Sequence, residues 1–73
     1  MSAMAPAARI LIVNGAALTS GAATLADLIA SGDWGTRKVA TAVNGNFVPE
    51  RARAATALAS GDRIEILTAR QGG

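Results

Sequence analysis

The 73-residue sequence predicts an α+β domain in which a mixed sheet of four to five strands is crossed by one helix. Three observations carry that expectation. Two Asn-Gly dipeptides, Asn14-Gly15 and Asn44-Gly45, each close an apolar, β-branched run, and Asn-Gly is the dipeptide that most favours a tight hairpin because both positions tolerate positive φ. Between them a single segment after Thr24 carries helical spacing. Beyond them Arg63-Ile64-Glu65-Ile66 alternates polar and apolar residues, as a half-buried strand does.

The elements follow in order. Arg9 to Val13 (RILIV) reads as a first strand that turns at Asn14-Gly15 into a second, about Ala16 to Thr19. The second has weak strand propensity and is placed at a sheet edge. Thr24-Leu25-Ala26-Asp27 fits a hydroxyl-x-x-acid helix start, with Asp27 also favoured by the positive end of the helix dipole. Leu25, Leu28 and Ile29 then share one face at the i, i+3, i+4 spacing, and Gly32 is a natural stop in the left-handed conformation. The helix is expected from about Leu25 to Ser31, with Trp34 as a lid over its end.

Val39 to Val43 is a third strand, and Asn46-Phe47-Val48 a short edge segment limited by Pro49. The stretch Glu50 to Leu58 reads as a turn of helix that drops Leu58 onto the core, and Gly61-Asp62 turns into the last strand. Strand, strand, helix, strand, short strand, last strand is the order of a β-grasp, in which the final strand lies parallel to the first in the middle of the sheet. The expected core is Ile10, Ile12, Leu25, Leu28, Ile29, Val43, Leu58, Ile64 and Ile66, a single layer between sheet and helix.

Composition narrows function by exclusion. The chain has no cysteine and no histidine, so disulfides, thiolate catalysis, zinc ligation by the usual donors and imidazole acid-base chemistry are absent. The carboxylates Asp27, Asp33, Glu50, Asp62 and Glu65 are scattered beside polar or turn residues, a pattern of surface solvation and not of a hydrolytic pair. A sequence pI of 10.6 accompanies a net charge of only +2, with basic residues spread along the chain and Trp34 and Phe47 as the sole aromatics. Neither a phosphate-binding stripe nor a stacking platform for nucleic acid is present. Residues 1–8 (MSAMAPAA) lack the features of a signal peptide and read as a flexible leader in which Met4 is an alternative start. No membrane association and a cytoplasmic location are expected. The domain is expected over residues 9–69, with a flexible tail at 70–73 ending in Gly72-Gly73. Average glycine usage makes such a pair a roughly 0.5% coincidence, so the rest of the sequence must decide whether it has a role.

Residues 39–73 resemble the ThiS family, the ubiquitin-like sulfur carriers of thiamine biosynthesis. The most specific elements are Val43-Asn44-Gly45 through Val48-Pro49, the Leu58-x-x-Gly61-Asp62 turn, the strand Ile64 to Leu67, and Gln71-Gly72-Gly73. Residues 9–32 fit more loosely, by the opening strand with Asn14-Gly15 and the helix after Thr24. The resemblance implies a recycled cosubstrate and not an enzyme. An E1-like adenylating enzyme would activate the Gly73 carboxylate with ATP, a separate persulfide donor would supply sulfur, and thiazole synthase would take it from the resulting thiocarboxylate. No cofactor would be bound by the carrier itself.

The tail chemistry agrees with that role. A carboxylate cannot take up sulfur at neutral pH until adenylation makes the displaced oxygen leave as AMP, which calls for a partner that holds ATP. Glycine at 72 and 73 removes side chains that would block a narrow channel, so Gln71, Gly72 and Gly73 are the residues expected to enter partner active sites. Ordering them costs about 1–2 kcal/mol of backbone entropy each, which contacts from the folded body must offset.

With Ile64 and Ile66 inward, Leu67 faces outward, and taking Ile10 and Ile12 as inward leaves Leu11 outward on the neighbouring strand. Leu11 and Leu67 are therefore expected to form an exposed docking patch, which Phe47 on the short strand extends. Arg70 lies where the family more often has an apolar residue; it is a candidate partner for an acidic groove on the activating enzyme, against the plainer reading of a solvated side chain. The rival readings are another ubiquitin-like carrier or modifier (the small subunit of molybdopterin synthase, a cysteine-biosynthesis carrier, a prokaryotic protein modifier) and, more distantly, a β-grasp binding module for which the diglycine is incidental.

Overall fold

A computed structural model of the chain describes residues 8–32, 34 and 38–68. Residues 1–7 of the expected leader (1–8) and the whole of the expected tail (70–73) lie outside the described residues. The elements are β1 (Arg9–Val13), β2 (Ala16–Ser20), α1 (Leu25–Ser31), β3 (Val39–Val43), β4 (Asn46–Val48), a 3-10 helix (Glu50–Ala55) and β5 (Arg63–Thr68). The sheet order is β2-β1-β5-β3-β4, with β5 parallel to β1 and antiparallel to β3. This is the expected β-grasp, with the last strand central and β2 and β4 at the edges.

Local chemistry fixes both hairpins. Asn14 and Gly15 sit at φ 51° and 85°, Asn44 and Gly45 at 52° and 85°, so each turn has positive φ at both central positions and its twist matches that of the flanking strands. The two asparagines also reach across to β5. Asn14 Nδ2 donates to the Ile66 carbonyl at 3.0 Å while its Oδ1 accepts from the Ile66 N–H at 2.8 Å. β1 has ended by this point, so the Asn14 carboxamide takes the place of one further strand residue. On the other side of β5, Asn44 Oδ1 accepts from the Arg63 N–H and its Nδ2 donates to Asp62 Oδ1, each at 3.0 Å. Asp62 in turn accepts from the Ala59 N–H through Oδ2 at 2.9 Å, which makes it a structural carboxylate.

The helix begins as expected. Thr24 is the N-cap, its hydroxyl accepting from the Asp27 N–H at 3.2 Å, and Leu25 and Leu28 are its buried residues. Its end corrects the expectation for Gly32, which lies at φ −96°, outside the left-handed region. Space is the reason for a glycine here, because a Cβ on Gly32 would overlap the benzo ring of Trp34. Trp34 packs, partly buried, against the core, consistent with a lid.

The core comprises Leu11, Leu25, Leu28, Val48, Leu58, Ile64 and Ile66, with Ile29, Val39, Val43 and Trp34 among its half-buried margin. Here β1 differs from expectation in phase: Leu11 is fully buried and Ile10 is 56% exposed, while Ile12 is half-buried on the opposite face from Leu11. Every residue from Ile10 to Val13 is apolar, so the sequence of β1 has no alternation from which to read a face. Pairing decides it. Val13 lies beside Ile64 and Ile12 beside Arg63, which places the odd-numbered residues of β1 on the helix side with the inward isoleucines of β5. Full burial of the Leu11 side chain contributes about 1.5–3 kcal/mol.

Three polar devices complete the body. Thr41, the one buried polar residue among the described residues, donates its hydroxyl to the Val48 carbonyl at 2.7 Å. Arg53 on the 3-10 helix donates to Thr41 Oγ1 at 3.2 Å and to the Val39 carbonyl at 2.6 Å, fastening that helix over β3. Arg9 does likewise for the other end, donating to the carbonyls of Leu58 and Ala22. Leu58 is thereby held on the core, as expected, with its N–H bonded to the Ala23 carbonyl.

Candidate functional site: the outer sheet face and the central strand

Helix and 3-10 helix cover one face of the sheet, and the other face is open. Antiparallel sheets tolerate this when the open face is polar. This one is only partly so. Register places Ala42 between Phe47 on β4 and Glu65 on β5, and Ala40 beside Leu67 one pleat further along β5. Phe47 is 70% and Leu67 66% exposed, and two alanines between them keep the surface flat. At about 4.8 Å per strand step and about 3.4 Å per residue along a strand, Phe47 and Leu67 stand two strands and two residues apart, roughly 12 Å.

Arg63 and Glu65 cross the middle of this face on β5, and Ile12 and Ile10 lie beyond them on β1. The surface is therefore an apolar strip at Phe47–Leu67, bordered by charge, on the strand from which the chain continues into Gln71-Gly72-Gly73. Large apolar side chains exposed on one sheet face make this surface a candidate for docking.

Phe47 and Leu67 are thus exposed on one face as expected. Leu11 is not: it is a core residue and no part of any surface, and its place on the outer face of β1 is taken by Ile10 and Ile12. Arg70, Gln71, Gly72 and Gly73 lie outside the described residues. Ile10, missed at first, was findable only through strand register, since the polar alternation of β5 reveals its own face and the pairing then transfers that face to β1.

Among the described residues there is no group of three or more metal-ligating side chains, and the carboxylates Asp27, Glu50, Asp62 and Glu65 sit at the surface or in a turn. Among the described residues, no helix is long and apolar enough to cross a membrane.

Comparisons with known proteins extend this picture to the whole fold. The ThiS family matches residues 9–73. Among solved structures, the thiamine biosynthesis protein ThiS from Geobacter metallireducens is similar with a TM-score of 0.72 and 29% sequence identity, over 88% of this chain and 99% of that one. No curated protein sequence matches significantly. With a matching fold and a family match that spans both hairpins, the central strand and the diglycine, the chain belongs to the ThiS family, the small ubiquitin-like carriers of thiamine biosynthesis.

Proposed function

We propose that this chain carries sulfur on the carboxyl group of Gly73 for construction of the thiazole ring of thiamine. The carrying observation is the family match that runs through Gln71-Gly72-Gly73, separated in the sequence by two residues from the end of a central strand paired on both sides. In the proposed cycle the Gly73 carboxylate attacks the α-phosphate of ATP on an E1-like enzyme, releasing pyrophosphate. The terminal sulfur of a protein persulfide then attacks the carbonyl carbon of the acyl-adenylate, and AMP leaves with the original oxygen. A thiol cleaves the S–S bond of that adduct, itself oxidised to a disulfide, and the thiocarboxylate remains. Thiazole synthase takes the sulfur and returns the carboxylate, so the carrier is a recycled cosubstrate working in the cytoplasm without a bound cofactor.

The body's part is docking. The strip at Phe47 and Leu67 supplies apolar contact to offset the ordering of the tail, and Arg70, two residues beyond β5 in the sequence, supplies a charge. Incubating the chain with ATP, the adenylating enzyme and a persulfide source should give an intact mass gain equal to one oxygen replaced by sulfur, lost again on adding thiazole synthase. A chain lacking Gly73 should fold normally and gain nothing. Loading of that truncated chain would overturn the proposal, and a gain that thiazole synthase does not remove would assign the carrier to another sulfur pathway.

A further inference from the structure

The two edges of the sheet are unequally defended. β4 offers three residues and is stopped by Pro49, which limits what can pair there. β2 offers five, Ala16-Ala17-Leu18-Thr19-Ser20, with no charge, no proline and no bulge against β1. On its free side alternate residues present backbone N–H and C=O groups with no strand beside them among the described residues. Beside that edge, on the helix face, lies an open hollow of about 500 Å³ lined by Leu18, Leu28, Gly32 and Trp34 together with Thr19, Ser20 and Ser31. Leu18, at the middle of the strand, is 40% exposed on its rim.

We propose that the β2 edge pairs with β2 of a second copy of this chain, antiparallel about a two-fold axis through Leu18 and perpendicular to the sheet. Such an axis keeps both helices on one side. It sets Leu18 against Leu18 of the second copy, Ala17 against Thr19 and Ala16 against Ser20, so no pair brings like charges together. Because Leu18 is on the helix face, the second copy's Leu18 arrives at the hollow beside Trp34, and by symmetry the reverse holds. Uncharged self-complementarity favours a second copy over a partner recognised by charge.

Pairing of two five-residue edges buries less than the roughly 1,200 Å² of the smaller stable interfaces, so the dimer is weak and forms at high concentration. The outer face with Phe47 and Leu67 and the end of β5 stay free in it, which makes the inference independent of the proposed sulfur chemistry.

The test is NMR diffusion and amide shifts from about 20 μM to about 2 mM, a range spanning weak association. The hydrodynamic radius should rise about 1.3-fold, the increase expected for a doubled compact chain, with shift changes centred on residues 16–20 and the Trp34 indole. Leu18→Lys and Leu18→Glu should each remain monomeric at the top concentration while keeping the wild-type fold by circular dichroism, and an equimolar mixture of the two should regain the dimer. A monomeric wild type at about 2 mM would overturn the proposal, as would self-association of either variant at wild-type strength or failure of the mixture to associate. Shifts at β2 that appear only on adding another protein would also overturn it, assigning the edge to a foreign strand.

Discussion

Replacing Asn14 with glycine separates two roles that one residue holds. Glycine accepts φ 51° without strain, so the hairpin turn survives and only the carboxamide is lost. With it go the bonds of 3.0 and 2.8 Å to the backbone of Ile66, in a half-buried setting that β1 no longer covers. Each bond contributes about 0.5–1.5 kcal/mol net, and the extra freedom of glycine in the unfolded chain adds about 0.5 kcal/mol, for a total of about 1.5–3.5 kcal/mol. In a domain of this size each kcal/mol shifts the melting temperature by about 4–8 °C, so a fall of about 6–28 °C is expected. Asn44→Gly is the matched control. It keeps the same turn and removes two bonds of 3.0 Å at an exposed site, where water replaces them, so its loss should be about 1 kcal/mol or less. Thermal and urea unfolding measure both, and hydrogen exchange reads the Ile66 amide directly: its protection should fall in Asn14→Gly and persist in Asn44→Gly. Equal melting temperatures for Asn14→Gly and wild type, or an unchanged Ile66 amide, would refute the claim that this side chain extends β1.

Three further outcomes follow from the same structure. Leu11→Ala should cost about 2–5 kcal/mol and Ile10→Ala well under half of that, measured by urea unfolding; the reverse order would reinstate the opposite phase of β1. Gly32→Ala should drive the Trp34 indole off the helix end, and because Trp34 is the single tryptophan, its fluorescence should shift to the red, a change that an unaltered spectrum would contradict. Phe47→Asp should leave stability within about 0.5 kcal/mol of wild type, since the side chain is exposed, while slowing sulfur loading by the adenylating enzyme at least about tenfold, equivalent to 1.4 kcal/mol of lost docking; unchanged loading would remove Phe47 from the partner surface.

Local chemistry by itself determined much of this protein. Asn14-Gly15 and Asn44-Gly45 fixed both hairpins because few dipeptides tolerate positive φ twice, Thr24 to Asp27 fixed the helix start through a side-chain cap, and the alternation from Arg63 to Ile66 fixed which face of β5 is inward. The family resemblance, carried by the residues from Val43 to Gly73, was equally a property of the sequence. Tertiary structure decided what such local signals leave open. The uniformly apolar run from Ile10 to Val13 has no phase until Ile12 and Val13 pair with Arg63 and Ile64, and that pairing sends Leu11 into the core and Ile10 to the surface. Gly32 is required by the volume of Trp34 and not by its own φ, a contact across two residues that no capping rule contains. The second role of Asn14 likewise exists only because β5 runs past the end of β1, leaving the Ile66 N–H and C=O to be met by a side chain 52 residues away.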